Sequence, residues 1–181
     1  MSSQLQRRPS DPQRFVADAS TLSALHLTLD DLADADTRTL VIRHEHPEFV
    51  QALGEDRSEI DVGGESINVR LHIAIHEIVA TQLWEDAPPE VWETAVRLLS
   101  SGYERHEILH MLGRPVADQI WRTLHEERPY DRDRHAAQLA ELPGSWEQER
   151  LARTVARRHA DARKQARRAA GTTRRRNRRP R

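Results

Sequence analysis

Two pairs of histidines constrain this chain more than anything else in it: His72 with His76, and His106 with His110, each pair four residues apart. Residues at i and i+4 lie about 5–6 Å apart on one helix face, so each pair can present two imidazoles to one ion if its segment is helical. Both segments read as helical. Around the first pair, Leu71, Ile75, Ile78, Val79 and Leu83 cover most of a helix circumference, which predicts a buried central helix over about 69–84. On a wheel of about 100° per residue, His72, His76, Val79 and Leu83 fall within about 60° of one another, so the two histidines point inward. A second helix, over about 104–126, carries His106, Leu109, His110, Gly113, Val116, Ala117, Ile120 and Leu124 on one face. Gly113 and Ala117 are small enough to let a partner helix come close beside the pair. Pro115 removes one ladder bond and predicts a kink near Met111.

The expected fold is therefore mainly α: a helical hairpin over 69–126 inside a small helical domain, with one short β-hairpin. That hairpin is read from Ser58 to Val69, where Ile60 and Val62, then Ile67 and Val69, alternate around Gly63-Gly64. Asn68 suits the N-cap of the helix that follows. Asp86-Ala-Pro-Pro-Glu predicts the start of an amphipathic helix through Val91, Ala95, Leu98 and Leu99, with Gly102 ending it. Asp36 to Arg43 reads as another capped helix start, Pro47 opens a further turn or two, and one short helix is assigned between Pro12 and Leu32. A short helix over about 132–142 is broken by Pro143-Gly144.

The chain of 181 residues has room for one domain of ordinary size and tails. We expect a disordered N-terminus at 1–11, the helical domain at 12–145, and a tail at 146–181 that is helical for some 25 residues and then disordered. Formal net charge is −1, but it is sharply divided: residues 1–149 hold 28 acidic and 14 basic side chains, and residues 150–181 hold one acidic and 14 basic. All the basic residues but Lys164 are arginine, a bias that GC-rich coding explains without guanidinium chemistry. The tail predicts contact with nucleic acid or another polyanion through phosphates, and its lack of aromatics argues against base stacking. No apolar run is long enough to span a membrane and no signal peptide is read at the start, so a soluble cytoplasmic protein is expected. A homo-oligomer is compatible with the sequence.

Without cysteine, thiolate ligands, disulfides and cysteine catalysis are excluded, and any metal must be held by imidazole and oxygen. Buried imidazoles without partners cost about 1–3 kcal/mol per unsatisfied group, and one ion would satisfy four of them at once. We therefore expect His72, His76, His106 and His110 to bind one divalent metal, zinc ahead of iron, with a metal-free histidine network as the alternative. His44 and His46 lie near a Pro-Glu turn and are expected at the surface. Glu77 and Glu107 are each about 100° from the neighbouring histidine, which suits contact with a bound water, a ring N–H or Arg70 or Arg105 better than direct ligation. His106-Glu107-Ile108-Leu109-His110 also matches the metallopeptidase string His-Glu-x-x-His. On that reading Glu107 is the general base of a hydrolase, and Glu126 or Glu127 supplies a third ligand.

The run Asn68-Val-Arg-Leu-His-Ile-Ala-Ile-His-Glu, then Pro-Pro-Glu-Val-Trp-Glu at 88–93, then Gly102-Tyr-Glu-Arg-His-Glu-Ile-Leu-His resembles the bacterial family known as domain of unknown function 1841. The likeness covers about Asn68 to Leu124. It implies the helical hairpin and both histidine pairs, with Pro115 a departure, and it implies no particular reaction.

Overall fold

The computed structural model describes residues 12–177, with side chains at 12–160, 162 and 163. Two compact units divide the chain between Leu142 and Pro143. The first consists of helices and one two-stranded hairpin: α1 (Ala19–Ala24), α2 (Ala35–Glu45), α3 (Val50–Gly54), β1 (Glu59–Val62), β2 (Glu65–Asn68), α4 (Val69–Glu85), α5 (Pro89–Ser100), α6 (Arg105–Glu126) and α7 (Arg132–Ala140). Three 3-10 turns, at Pro12–Phe15, Asp30–Ala33 and Pro47–Phe49, join them. The second unit is one helix, α8 (Gly144–Asn177).

α4 is the centre of the first unit, packing against α6 on one side and α2 on another. Its start is set locally. The Asn68 side chain accepts the Leu71 N–H at 2.9 Å, satisfying one of the unpaired donors of the first turn. Immediately before it, β1 and β2 pair antiparallel with Ile60 opposite Ile67, and Gly63 and Gly64 take φ of +65° and +90°. A two-residue turn with both central residues at positive φ matches the twist of the strands, and glycine reaches it without strain. The expected alternation is only half used, because Ile60 and Ile67 are partly covered while Val62 is exposed and Val69 is already the buried first residue of α4.

Apolar side chains from every layer meet around α4: Leu32, Val41, Phe49, Val79, Leu83, Leu98, Ile108, Met111, Leu112 and Leu139 are all buried. Polar contacts fix how α2 lies on it. Arg38, almost fully buried, donates to the carbonyls of Leu32 at 2.7 Å and Ala33 at 3.0 Å, and Thr39 donates to Glu77 of α4 at 2.7 Å. The N-cap of α2 is Asp34, which accepts from Thr37 N–H at 2.8 Å, two residues before the start expected at Asp36. Asp34 wins because it leaves Thr37 in reach of one carboxylate through both N–H and hydroxyl.

α6 runs without interruption through Pro115. The lost Pro115 donor falls inside a buried stretch of α6, and the helix continues on both sides of it. Gly113 is where α4 comes closest. A β-carbon built there would sit 2.8 Å from Cγ2 of Ile75, nearer than a real β-carbon comes to such a neighbour. The two helices therefore meet one turn beyond the histidines, as the small residues led us to expect.

Between Pro12 and Leu32 the structure has a 3-10 turn, α1 and a second 3-10 turn in place of one short helix. α8 continues past Gly171 to Asn177, further than the 25 residues expected. The Arg-rich end expected to be disordered lies partly in that helix, and residues 178–181, like the N-terminal 1–11, fall outside the described residues.

Candidate metal centre

The histidines of the site arrive from three elements. His72 and His76 occupy the first two turns of α4, on the face that also buries Val79 and Leu83. His110 sits in the second turn of α6, between the buried Leu109 and Met111. His46 comes from outside the hairpin altogether. It is the C-cap of α2, with φ −122° and ψ 63°, and Pro47 after it turns the chain away from the helix axis. That departure drops the ring inward, where it is 1% exposed and stacks on Phe49 with ring centres 5.1 Å apart.

The four rings form one cluster. His46 lies 4.7 Å from His72 and 4.7 Å from His76 between ring centres, His76 lies 4.9 Å from His110, and His72 lies 5.2 Å from His110. Each can offer one ring nitrogen such that the four nitrogens all lie within 4.8 Å of one another. The Nε2 atoms of His46, His72 and His110 are buried and have no hydrogen-bond partner among the described residues. Around them the other groups are engaged. His46 Nδ1 is 2.9 Å from Oε1 of Glu48.

Burial and crowding keep His72, His76 and His110 neutral. Burial first, then neighbouring histidines, depresses His72 to about 4, His76 to about 2 and His110 to about 3, from an ordinary value of 6.5. His106 is lowered too, by the same causes. Burial opposes ionisation of Glu48, but its hydrogen bonds with His46 and its own backbone N–H outweigh this and hold the carboxyl below its ordinary range. Near neutral pH His72, His76 and His110 are thus uncharged imidazoles near an ionised carboxylate, the state in which imidazole nitrogens can bind a metal.

Three of the four histidines expected as ligands, His72, His76 and His110, are in this group. His106 stands beside it. Its ring centre is 4.5 Å from His110 and 4.9 Å from His46, but its side chain is 42% exposed and its Nδ1 lies 4.0 Å from Glu45 Oε2. His46 is the residue the sequence reading missed: it was expected at the surface and is buried at the centre, whereas His44 is exposed as expected. The available signal was its position, a histidine ending a helix immediately before proline with a glutamate two residues on. Periodicity cannot see such a residue, because it is off the helical repeat.

The acidic residues are disposed differently from the peptidase reading. Glu77 accepts from Thr39, Arg70 pairs with Asp56, and Arg105 pairs with Glu45 at 2.8 Å while also holding the carbonyls of Phe15 and Val16. Glu107 is half-buried on α6 and is not among the four metal-capable residues. Glu126 and Glu127 close the far end of the same helix, where Glu126 pairs with Arg122 and Arg128 at 3.3 Å each. At about 1.5 Å per residue, a continuous helix puts them about 24 Å beyond His110, out of reach as a third ligand.

A protein-family model described as a domain of unknown function, DUF1841, matches residues 10–141. The chain belongs to that family. The match takes in all of the helical unit but residues 1–9 and Leu142, so His46 and Glu48 lie within the family domain as well as the two histidine pairs. No curated protein and no solved structure matches the chain. Among the described residues no helix is long and apolar enough to cross a membrane.

Proposed function

We propose that this DUF1841 protein is a metal-binding helical protein in which His46, His72, His76 and His110 hold one divalent ion, zinc ahead of iron. The observation that carries the reading is that His46, His72, His76 and His110 can each offer a ring nitrogen within 4.8 Å of the others, while three of the four rings hold a buried, unpartnered Nε2. An all-imidazole donor set suits zinc. Zinc–nitrogen bonds of about 2.0–2.1 Å place tetrahedral ligand atoms about 3.3 Å apart, so the rings would draw in slightly on binding. The first histidine pair enters the ligand set whole, and the second contributes His110, with His46 completing it from α2.

The role that fits is structural. Four protein ligands close a tetrahedral ion and leave no position for a reactive water. The ion would tie α2, α4 and α6 together. Metal-dependent hydrolysis with Glu107 as base is the weaker reading, since it needs a ligand that Glu126 and Glu127 cannot supply. Metal analysis of untagged protein tests the proposal: one ion per chain is expected, released by His46→Ala and retained by His106→Ala. Protein from metal-replete medium that carries no stoichiometric metal would make the cluster a metal-free core network.

A second reading concerns α8, where Arg150, Arg157 and Arg158 are exposed on a helix with no buried residue between 151 and 160. We propose that residues 150–181 contact nucleic acid or another polyanion through phosphates. With about six phosphates engaged, log affinity should fall against log salt with a slope of about −5, and removal of 145–181 should abolish it. A flat salt response would reject the tail as the contact.

A further inference from the structure

Further along the α4–α6 pair, past the histidines, a cavity of about 300 Å³ lies between α4, α6 and α7. Ile78, Val116, Ile120 and Leu124 supply its apolar wall, and Gln82, Gln119, Thr123, Tyr130 and His135 its polar one. His135 is 1% exposed, yet neither of its ring nitrogens has a hydrogen-bond partner among the described residues. The Gln82 Oε1 atom is likewise buried and unpartnered. Gln119, also in the wall, is already engaged. Its amide already bonds both ways with the backbone of Asp131, at 3.3 and 3.2 Å.

A buried histidine with both nitrogens idle is rare in a packed interior, because such groups are costly to strip of water. Its position on an apolar cavity that reaches the surface at Ile78 and Leu124, which are 39% and 71% exposed, gives those nitrogens a use. The occupant's chemistry follows from the wall. No acidic or basic side chain lines the cavity, and burial lowers the His135 pKa, so the ring is neutral. A charged ligand would enter without a counter-ion, and a hydrocarbon would leave His135 and Gln82 unpaired. A hydroxyl both donates and accepts, matching an imidazole that has one of each and an amide oxygen that needs a donor.

We propose that this cavity is a binding site for a small uncharged alcohol, aryl or alkyl, whose hydroxyl bonds to the His135 and Gln82 wall while its carbon frame lies on Ile78, Val116, Ile120 and Leu124. At about 300 Å³ it is at the small end of ligand pockets, which suits a single ring or short chain. The site is separate from the metal centre, since Gln82 is six residues past His76, about 9 Å along α4.

Methyl-resolved NMR of the full chain, titrated with phenol, toluene and benzoate, tests this. Phenol should shift the methyls of Ile78, Val116, Ile120 and Leu124 and bind at least about tenfold tighter than toluene, because a site made for a hydroxyl discriminates against its absence. Benzoate should leave these methyls unmoved. His135→Phe should reduce phenol to the level of toluene, and Gln82→Met, at a half-buried position, makes the same test if the first variant fails to fold. Equal binding of phenol and toluene, binding of benzoate, or no shift of these methyls at millimolar phenol would each overturn the proposal. None of these readouts depends on the metal.

Discussion

His46 Nδ1 lies 2.9 Å from Oε1 of Glu48. An ionised carboxylate can only accept, so His46 Nδ1 donates to it, and in a neutral ring that leaves the lone pair on Nε2, the buried nitrogen without a partner. The pair fixes both the tautomer and the direction of the one ligand that does not sit on a regular helix turn. It does so from two residues away across Pro47, whose fixed φ keeps the two side chains in register.

Glu48→Ala therefore tests the site without touching a ligand. Removing the carboxylate frees the His46 ring to rotate and lowers its basicity, and metal affinity should fall about 10- to 100-fold. Competition against a chelator of known affinity measures it. Because Glu48 is 44% exposed, little apolar packing is lost, and the metal-free protein should melt almost unchanged. An unaltered affinity would remove Glu48 from any part in the centre.

One shared ion also makes a prediction about additivity. His46→Ala and His72→Ala should each release the metal, and the double variant should be scarcely less stable than the worse single, since both act through the same ion. Additive losses, measured by thermal melting of metal-replete protein, would mean that the two rings contribute separately as core residues. His106→Ala belongs in the same series, and there the metal should stay.

How much of this was legible before the structure depends on where each residue gets its geometry. His72, His76 and His110 sit on strong amphipathic repeats, so their direction follows from spacing alone. The close approach at Gly113 and the Asn68 cap were legible for the same reason, as local features with one physical solution. His46 was not, because its inward turn is made by a non-helical backbone at the end of α2, and its burial depends on α4 and α6 arriving from later in the chain. His106 shows the converse. It shares the i, i+4 spacing with His110, but it lies in the first turn of α6, where Glu45 and solvent compete for its ring. Spacing decides which residues share a face and says nothing of how deep along the helix that face is covered.

Acid should destabilise the chelated protein, and the sign follows from the depressed histidines. In the unfolded chain these rings take a proton near 6.5, whereas folded His72 does so only near 4, His110 near 3 and His76 near 2. Between those values the unfolded state binds more protons, so stability is fully present above about 6.5 and is lost as pH falls through the folded values. Melting temperature should be level from pH 8 to about 7 and decline from about 6.5 through 4. The limb should be shallower in His72→Gln, which has one fewer ring to protonate. A melting temperature that rises on acidification over that window would contradict neutral burial of the cluster.

The approach of α4 to α6 gives a last test, of packing. Gly113→Ala brings about 1 kcal/mol of helix propensity in its favour but forces a β-carbon to 2.8 Å from Ile75 Cγ2, a branched atom held on the helix that cannot swing aside cheaply. Overpacking of this kind costs about 1–3 kcal/mol, so the net effect should be a loss of about 1 kcal/mol, or about 2–4 °C in melting temperature. The strain is released only by moving the helices apart one turn beyond His110, so metal affinity should weaken along with stability. Ile75→Ala removes the offending Cγ2, and the double variant should be more stable than the two single effects predict by about 1 kcal/mol. Strict additivity in that cycle, or a Gly113→Ala variant that binds metal as tightly as the original protein, would show that the helices do not touch at this point.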